Sequence, residues 1–178
     1  MHQIIQWLKN HKTANIVILI IYYIVVVLPH KRFGSFLNDQ VFTGTRDDYN
    51  LKVIIGASVL FLIYFFPFFK NTIKATDRYR LWMYLGLNTI LAIMVINILF
   101  VINIEVIHFP QYAMCALIIF PLVGNYTGTL VWTTMAGMLD EAYQYFYLAP
   151  TDTSFYDLND VVTNLIGAVF GLLLIRSF

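Results

Sequence analysis

Two adjacent carboxylates lie in an apolar part of the sequence. The stretch GMLDEAYQYFY carries Asp140, Glu141 and Gln144. No Lys or Arg occurs between residues 81 and 175. An Asp at the centre of a membrane span costs roughly 2.5–3.5 kcal/mol on insertion scales, so we expect the pair to be protonated, to bind a cation, or to be neutralised by a basic residue of an earlier loop. The basic residues of that loop are Arg32, Arg46 and Lys52.

Two further groups of polar residues are expected at the same boundary as the acid pair. In EVIHFPQYAMC, His108 and Tyr112 are four residues apart and Gln111 is three from His108, so the three share a helix face. In DLNDVVTNLIGAVFG, Asp160 and Asn164 are one helical turn apart. Together with the acid pair, these groups predict one polar site formed where three helices end.

The residue types of this predicted site fit acid–base catalysis or recognition of a polar ligand. Asp140 or Glu141 would be the general acid or base. His108 would shuttle a proton or hold a metal, and Asp160, with Asn164, would orient the substrate in the catalytic site. The predicted substrate-binding residues are Gln144, Asn164, Tyr112, Gln111 and Arg46. Carboxylates with one His suit Mg²⁺, Mn²⁺ or Ca²⁺ better than a thiolate metal; the spacing matches no established metal motif, so the cofactor stays open.

Several of these residues also have structural explanations. Asp157 can cap the sixth helix, with Asp160 in its positive first turn. Asn164 can bridge two helices, and His108 can be an interfacial histidine. In residues 167–171 glycine recurs at a spacing of four, which predicts a close-packing helix face. The acid pair is the part of the pattern that a structural role explains least well.

The composition predicts that these residues are positioned by helices inside a lipid bilayer. Of 178 residues, 60% are hydrophobic and only 12% are charged, whereas soluble domains average about 25% charged. The net charge of +1 gives no reason to expect nucleic-acid binding. The single cysteine, Cys115, lies in an apolar run, which excludes an intrachain disulfide and predicts a small buried residue. We therefore expect an all-α, polytopic integral membrane protein.

Six apolar segments predict about six transmembrane helices. A span needs roughly 20 residues, which the third and fifth segments reach and the first, fourth and sixth do not. Pro and Gly between residues 121 and 128 separate the fourth segment from the fifth, so this pair could be a tight hairpin. No cleavage site follows the first segment, which we interpret as an uncleaved span. The segments are Ala14–Leu28, Val53–Phe69, Leu81–Ile104, Phe109–Val123, Thr127–Leu148 and Val161–Ile175.

The basic residues predict that both termini are cytoplasmic. The clearest signal is the loop KNTIKATDRYR between the second and third segments. Of the 10 acidic residues, only Asp77 then falls inside, and the others fall on or near the outer side. The acid pair and its expected neighbours are therefore predicted at the outer membrane face.

Three motifs resemble the VanZ-like family of small membrane proteins. They are HFPQY at 108–112, LDEAYQYF at 139–146 and DVVTNLIGAVFG at 160–171. Their order and their positions on the spans are similar to the family pattern over residues 81–176. The resemblance implies a four-span VanZ-like core at 81–178, preceded by a two-span N-terminal addition at 1–80 with an outer loop at 29–52.

The sequence departs from that family pattern at three points. Gln111 stands where the family often has Glu, and no Arg follows Gln144 in the turn at Pro150. The segment from Gln144 to Asp160 is also a few residues longer than in the family pattern. If the family Arg normally neutralises the acid pair, its role here is vacant or is taken by Arg46.

The resemblance implies a location in the bacterial cytoplasmic membrane and a link to the cell envelope. The family's founding member is associated with low-level resistance to the glycopeptide teicoplanin, but the resemblance implies no particular reaction. Two functions stay open: an enzyme acting on a lipid-linked or amphiphilic envelope molecule, and a non-catalytic binder of such a molecule or of an antibiotic. The alternative is a scaffold or partner subunit of a membrane complex. The sequence does not predict the oligomeric state.

Overall fold

The computed structural model describes residues 2–27, 46–73, 77–99, 106–148 and 156–177, and in these residues the fold is entirely helical. The all-α prediction is thereby confirmed. Two helices, α2 and α6, continue directly into a π-helical turn, Tyr23–Val27 and Gln144–Leu148 respectively. The helices are α1 His2–Asn10, α2 Lys12–Tyr22, α3 Arg46–Thr72, α4 Arg78–Leu99, α5 His108–Val123, α6 Tyr126–Tyr143 and α7 Leu158–Arg176.

The helices α2 to α7 coincide with the six predicted apolar segments. Helix α1 was not predicted; it is amphipathic and buries Ile5 and Leu8. Among the described residues, two helical stretches are long and apolar enough to cross a membrane, Arg78–Ile98 and Leu158–Arg176. Length and composition therefore support two candidate spans, and the full set of six stays a prediction.

A tight turn joins α5 to α6. Gly124 ends α5 with φ +79°, a left-handed conformation that glycine adopts without steric strain. Asn125 caps α6, because its Oδ1 accepts a hydrogen bond from the backbone N–H of Gly128 at 2.7 Å. The turn matches the tight hairpin that the sequence suggests for the fourth and fifth segments, and it makes α5 and α6 antiparallel neighbours.

Helix α7 packs closely against α5. A Cβ atom on Gly167 would lie 2.6 Å from the backbone oxygen of Phe109, and one on Gly171 would meet the backbone of Ala113. The close-packing face predicted for these glycines is confirmed. Because Gly167 follows Asp160 by about two helical turns, this contact holds the start of α7 beside the start of α5.

An apolar core lies where α5 and α7 end and α4 begins. Trp82 packs edge-on against Phe68, with ring centroids 5.5 Å apart. Ile5 of α1 belongs to this core, and α2 contacts α5, because the Tyr22 hydroxyl donates to the backbone oxygen of Gln111 at 2.5 Å. The buried residues are Ile5, Phe68, Leu81, Leu85, Leu117, Phe120, Leu173, Leu174 and Ile175.

The helices α4 to α7 alternate in direction, which gives the bundle two chemically different ends. Asp77, just before α4, accepts hydrogen bonds from Arg176 at the end of α7. We call this the basic end, because Arg78 and Arg80 also lie there. We call the opposite end, where α5 and α7 begin and α6 ends, the polar end. Asp160 and Arg176 on α7 are separated by about 24 Å of helix.

The described helices bury polar side chains and expose apolar ones. Large contiguous apolar surfaces are rare on proteins surrounded by water. The distribution therefore favours lipid as the surrounding medium. Fully buried polar residues include Asn15, Thr129, Thr133 and Asn164. Exposed apolar residues include Ile20, Ile63, Phe66, Leu87, Ile98 and Trp132.

Candidate functional site

Three helix termini supply the side chains at the polar end. His108 is the first residue of α5, Glu141 lies in the last turn of α6, and Asp160 lies in the first turn of α7. Asp157 caps α7, as predicted, by accepting a hydrogen bond from the backbone N–H of Asn159 at 2.8 Å. The cap begins α7 at a defined residue, and this fixes the position of Asp160 three residues later.

His108, Glu141 and Asp160 form one buried cluster, which we call the triad. One imidazole nitrogen and one oxygen from each carboxylate all lie within 4.8 Å of one another. His108 Nε2 is 3.6 Å from Asp160 Oδ2, an ion-pair separation that is longer than a hydrogen bond. The exposed fractions are 2%, 3% and 7% respectively. The three predicted polar groups therefore do meet, and their charges lie away from solvent.

The two adjacent acids have different neighbours. Tyr112 donates its hydroxyl hydrogen bond to Asp140 Oδ2 at 3.1 Å, whereas Gln144 donates from Nε2 to Glu141 Oε1 at 3.0 Å. Successive residues point about 100° apart around a helix, so one carboxylate is directed to the middle of α5 and the other to the triad. Sequence reasoning treated the acids as equivalent; the structure assigns Glu141 to the triad.

A second polar contact lies one turn along α5 from the triad. Tyr112 is fully buried in a group with Cys115 and Ile119, and Tyr23 from the end of α2 packs against this group. The Tyr112 ring stacks on the His108 ring, with centroids 6.1 Å apart. The helix face predicted for His108 and Tyr112 is thus confirmed, as is the burial of Cys115. Through Tyr112, Asp140 is connected to the side of the bundle that α2 covers.

Asn164 lies beside the triad at the contact of α6 with α7. Its side chain is fully buried, and neither Oδ1 nor Nδ2 has a hydrogen-bond partner among the described residues. A Cβ atom on Gly137 would lie 2.6 Å from Asn164 Nδ2. Gly137 is one turn before Glu141 on α6, and Asn164 is one turn after Asp160 on α7. The side-chain amide of Asn164 is therefore the next polar group after the triad along the contact of α6 with α7. The sequence analysis did not predict a role for Gly137, although its spacing of four from Glu141 indicates that the two residues share a helix face.

Two other predicted binding residues are less closely tied to the triad. Gln111 accepts the Tyr22 bond through its backbone, and its buried side-chain Nε2 has no hydrogen-bond partner in the described part of the chain. Arg46 begins α3, but its side chain lies outside the described residues, and so does Arg32. A role for Arg46 in neutralising the acids therefore stays a prediction.

The polar end concentrates negative charge that requires compensation. Asp140, Glu141 and Asp160 are all buried, and His108 Nε2 lies 3.6 Å from Asp160 Oδ2. Buried charges are strongly unfavourable unless they are paired, hydrogen-bonded or bound to a cation. The arrangement can therefore hold protons for acid–base chemistry, or it can hold a cation.

Comparisons with models of protein families, with curated proteins and with solved structures find no match to this chain. The resemblance to the VanZ-like family therefore rests on the three motifs and stays a prediction. The meeting of those motifs at the polar end is a property of this chain's own fold.

Proposed function

We propose that this chain is an integral protein of the bacterial cytoplasmic membrane whose polar end binds or acts on an amphiphilic molecule of the cell envelope. The observation that carries the proposal is the burial of His108, Glu141 and Asp160 within 4.8 Å of one another. Ionisable residues within membrane spans are expensive to bury, and they mark functional sites by default.

The distribution of charge supports an outer location for this site. Basic residues at the basic end include Lys70, Arg78, Arg80 and Arg176. Cytoplasmic loops of membrane proteins are rich in Lys and Arg. The basic end would then face the cytoplasm, and the triad would lie at the outer face, where envelope molecules are assembled and modified.

The depth of the triad suits a ligand with a polar head and an apolar tail. His108 and Asp160 lie at the first turns of α5 and α7, so the triad is placed where the apolar helices end. Tyr147 and Phe146 are exposed just beyond Glu141, and exposed aromatic rings are typical of the membrane interface. A polar headgroup would reach the triad while its acyl chains stayed beside the exposed apolar helix faces.

In the catalytic form of the proposal, the triad supplies an acid and a base. Glu141, oriented by Gln144, would take a proton from an attacking water or hydroxyl group. His108, held beside Asp160, would deliver a proton to the leaving oxygen. In the binding form, the same carboxylates would hold a cationic or hydroxyl-rich headgroup. A glycopeptide of the teicoplanin type is one amphiphile that the family resemblance suggests.

A second candidate function is that of a scaffold or partner subunit in a membrane complex. It is favoured by the contact between Asn164 and Gly137 and by the Tyr112–Asp140 hydrogen bond, each of which joins two helices. Polar contacts of this kind stabilise helix association in membranes. In that case the acids would be required for assembly and for no ligand.

Incubation of the purified protein with envelope lipids separates these functions. The full chain in detergent, its Glu141→Gln variant and an Asp77→Asn control at the basic end are incubated with an envelope lipid extract. Bound and released lipids are then measured by mass spectrometry. An altered lipid that needs Glu141 indicates an enzyme, and a retained, unaltered lipid that needs Glu141 indicates a binder. If wild type and Glu141→Gln neither retain nor alter any lipid, the proposal is wrong and the scaffold is favoured.

A further inference from the structure

We propose that the triad of His108, Glu141 and Asp160 is a binding site for one divalent transition-metal ion, Mn²⁺ or Zn²⁺. The inference rests on the proposed function, because it names a cofactor for the same site. With an ion bound, His108, Glu141 and Asp160 would be its ligands, and these ligand roles replace the acid and base roles given above. The spacing of the three residues along the chain matches no established metal motif, since the proposed ligands come from three different helices.

The separations between the ligand atoms are close to those around one ion. Two ligands on a tetrahedral zinc ion are about 3.4 Å apart, given metal–ligand distances near 2.1 Å. His108 Nε2 and Asp160 Oδ2 are 3.6 Å apart, and no pair in the triad exceeds 4.8 Å. Glu141 comes from the last turn of α6, and its side chain has three rotatable bonds. A contraction of roughly 1 Å would therefore bring all three atoms to one ion.

The ligand types select the class of ion. One imidazole nitrogen with two carboxylate oxygens suits Mn²⁺ or Zn²⁺, whereas Mg²⁺ and Ca²⁺ prefer sites made of oxygen alone. A thiolate is not part of the cluster, because Cys115 lies further along α5 in an apolar group with Ile119. The triad thus has the donor set of a site with three protein ligands, which leaves positions open for water or substrate.

The two buried carboxylates of the site also favour a cation as ligand. Glu141 and Asp160 are buried together, and the sequence from 81 to 175 contains no Lys or Arg. A divalent ion would balance both carboxylates at once. Gln144 already holds Glu141 through a hydrogen bond of 3.0 Å, and partners of this kind orient metal ligands in proteins.

An independent observation at the same place is the unsatisfied amide of Asn164. This side chain is fully buried one turn after Asp160 on α7, against Gly137 of α6, and it has no hydrogen-bond partner among the described residues. A buried amide is rarely left without a partner. A water molecule or substrate oxygen on the metal ion would provide that partner. We therefore assign Asn164 as the group that positions the non-protein ligand.

The test is direct metal binding by the full chain in detergent. The protein is treated with EDTA, dialysed, and titrated with Mn²⁺, Zn²⁺, Mg²⁺ and Ca²⁺ by isothermal calorimetry, with metal content measured separately. We expect about one Mn²⁺ or Zn²⁺ per chain, and an affinity more than about 10-fold weaker in Glu141→Gln and Asp160→Asn. Asp157→Asn is the matched control, because it keeps a capping side chain at the same end and should bind as wild type does.

A measurement on the wild-type chain covers the case in which the variants do not fold. Metal ligands must be deprotonated, so affinity should fall as pH is lowered from 7 to 5.5 and the ligands take up protons. Bound Co²⁺ should give visible absorption that changes in Asn164→Leu if Asn164 positions the non-protein ligand. Absent binding, unchanged affinity in both ligand variants, or tighter binding of Mg²⁺ or Ca²⁺ would each overturn the inference. Lipid retention that persists in EDTA would still leave the proposed function in place.

Discussion

The two ends of the helical bundle contain charged residues in opposite settings. At the basic end, Asp77 accepts two hydrogen bonds from Arg176, at 2.9 and 3.2 Å, and these side chains are 36% and 43% exposed. At the polar end, Glu141 and Asp160 are buried beside His108, and the sequence from 81 to 175 contains no Lys or Arg. Solvent screens the first pair, whereas the second group has little solvent to stabilise its charges.

The difference shows which charges serve stability and which require another explanation. The Asp77–Arg176 pair joins the start of α4 to the end of α7, and a surface ion pair is a sufficient explanation for both charges. Glu141 and Asp160 are instead buried beside His108, where burial of charge is costly. A chain that needed only a stable bundle would have little reason to bury Glu141.

The largest expected effect concerns the sides of the membrane on which the two ends lie. In a Cys115→Ala background, Leu158→Cys marks the polar end and Tyr79→Cys marks the basic end, since both positions are exposed. A membrane-impermeant maleimide added to right-side-out vesicles should label only Leu158→Cys, with Tyr79→Cys labelled after permeabilisation. Equal labelling of both from outside would show that the ends do not lie on opposite faces, and the reverse pattern would invert the proposed orientation.

The next effect is on stability and comes from the packing that holds the triad. Gly167→Ala places a Cβ 2.6 Å from the backbone oxygen of Phe109, a contact that backbone atoms cannot easily avoid. We expect the free energy of unfolding to fall by about 3 kcal/mol, the upper part of the range for overpacking. The measurement is denaturation in mixed detergent micelles, followed by circular dichroism.

Gly86→Ala is the control for this substitution. No atom lies within 4 Å of a Cβ at Gly86, and alanine has a higher helix propensity by about 1 kcal/mol. That variant should be neutral or slightly stabilised. If Gly167→Ala were equally neutral, the close contact of α7 with α5 would not be what positions Asp160.

The parts of the fold that follow from local rules could be predicted from the sequence. Segment positions follow from apolar runs, the shared face of His108 and Tyr112 follows from a spacing of four, and the cap by Asp157 follows from its place before an apolar run. Even α1 had a usable signal, because Ile5 and Leu8 recur at helical spacing. These features depend on one helix at a time, so tertiary structure does not alter them.

The parts that depend on how helices rotate against one another could not be predicted. The sequence predicted that the acid pair lies at the same end of the bundle as His108 and Asp160. The assignment of Glu141 to the triad, however, depends on the rotation of α6 about its axis. That rotation is set by packing, including the contact of Gly137 with Asn164. The number of spans is undecided for a related reason, since short apolar helices cross a membrane only with flanking residues or local thinning of the bilayer.

A smaller effect is expected from the second polar contact at the polar end. Tyr112→Phe removes the hydroxyl that donates to Asp140 at 3.1 Å while keeping the ring that stacks on His108. Because a buried acceptor then loses one donor, the free energy of unfolding should fall by about 1–2 kcal/mol. Tyr147→Phe is the matched control; its ring is exposed, so the change should stay within about 0.5 kcal/mol. A neutral Tyr112→Phe would show that the hydroxyl does not stabilise the buried Asp140.

The smallest effect is expected at the basic end. Arg176→Ala removes both hydrogen bonds to Asp77, yet exposed ion pairs contribute only about 0–1 kcal/mol. The free energy of unfolding should change by no more than this, and the change should shrink further in 1 M salt, where the screening length is about 3 Å. Asp77→Asn should reproduce the result, and combining the two should add little. A loss of several kcal/mol would instead show that this pair is shielded from solvent in the bilayer, which would remove the electrostatic contrast between the two ends and weaken the reason for regarding the triad as special.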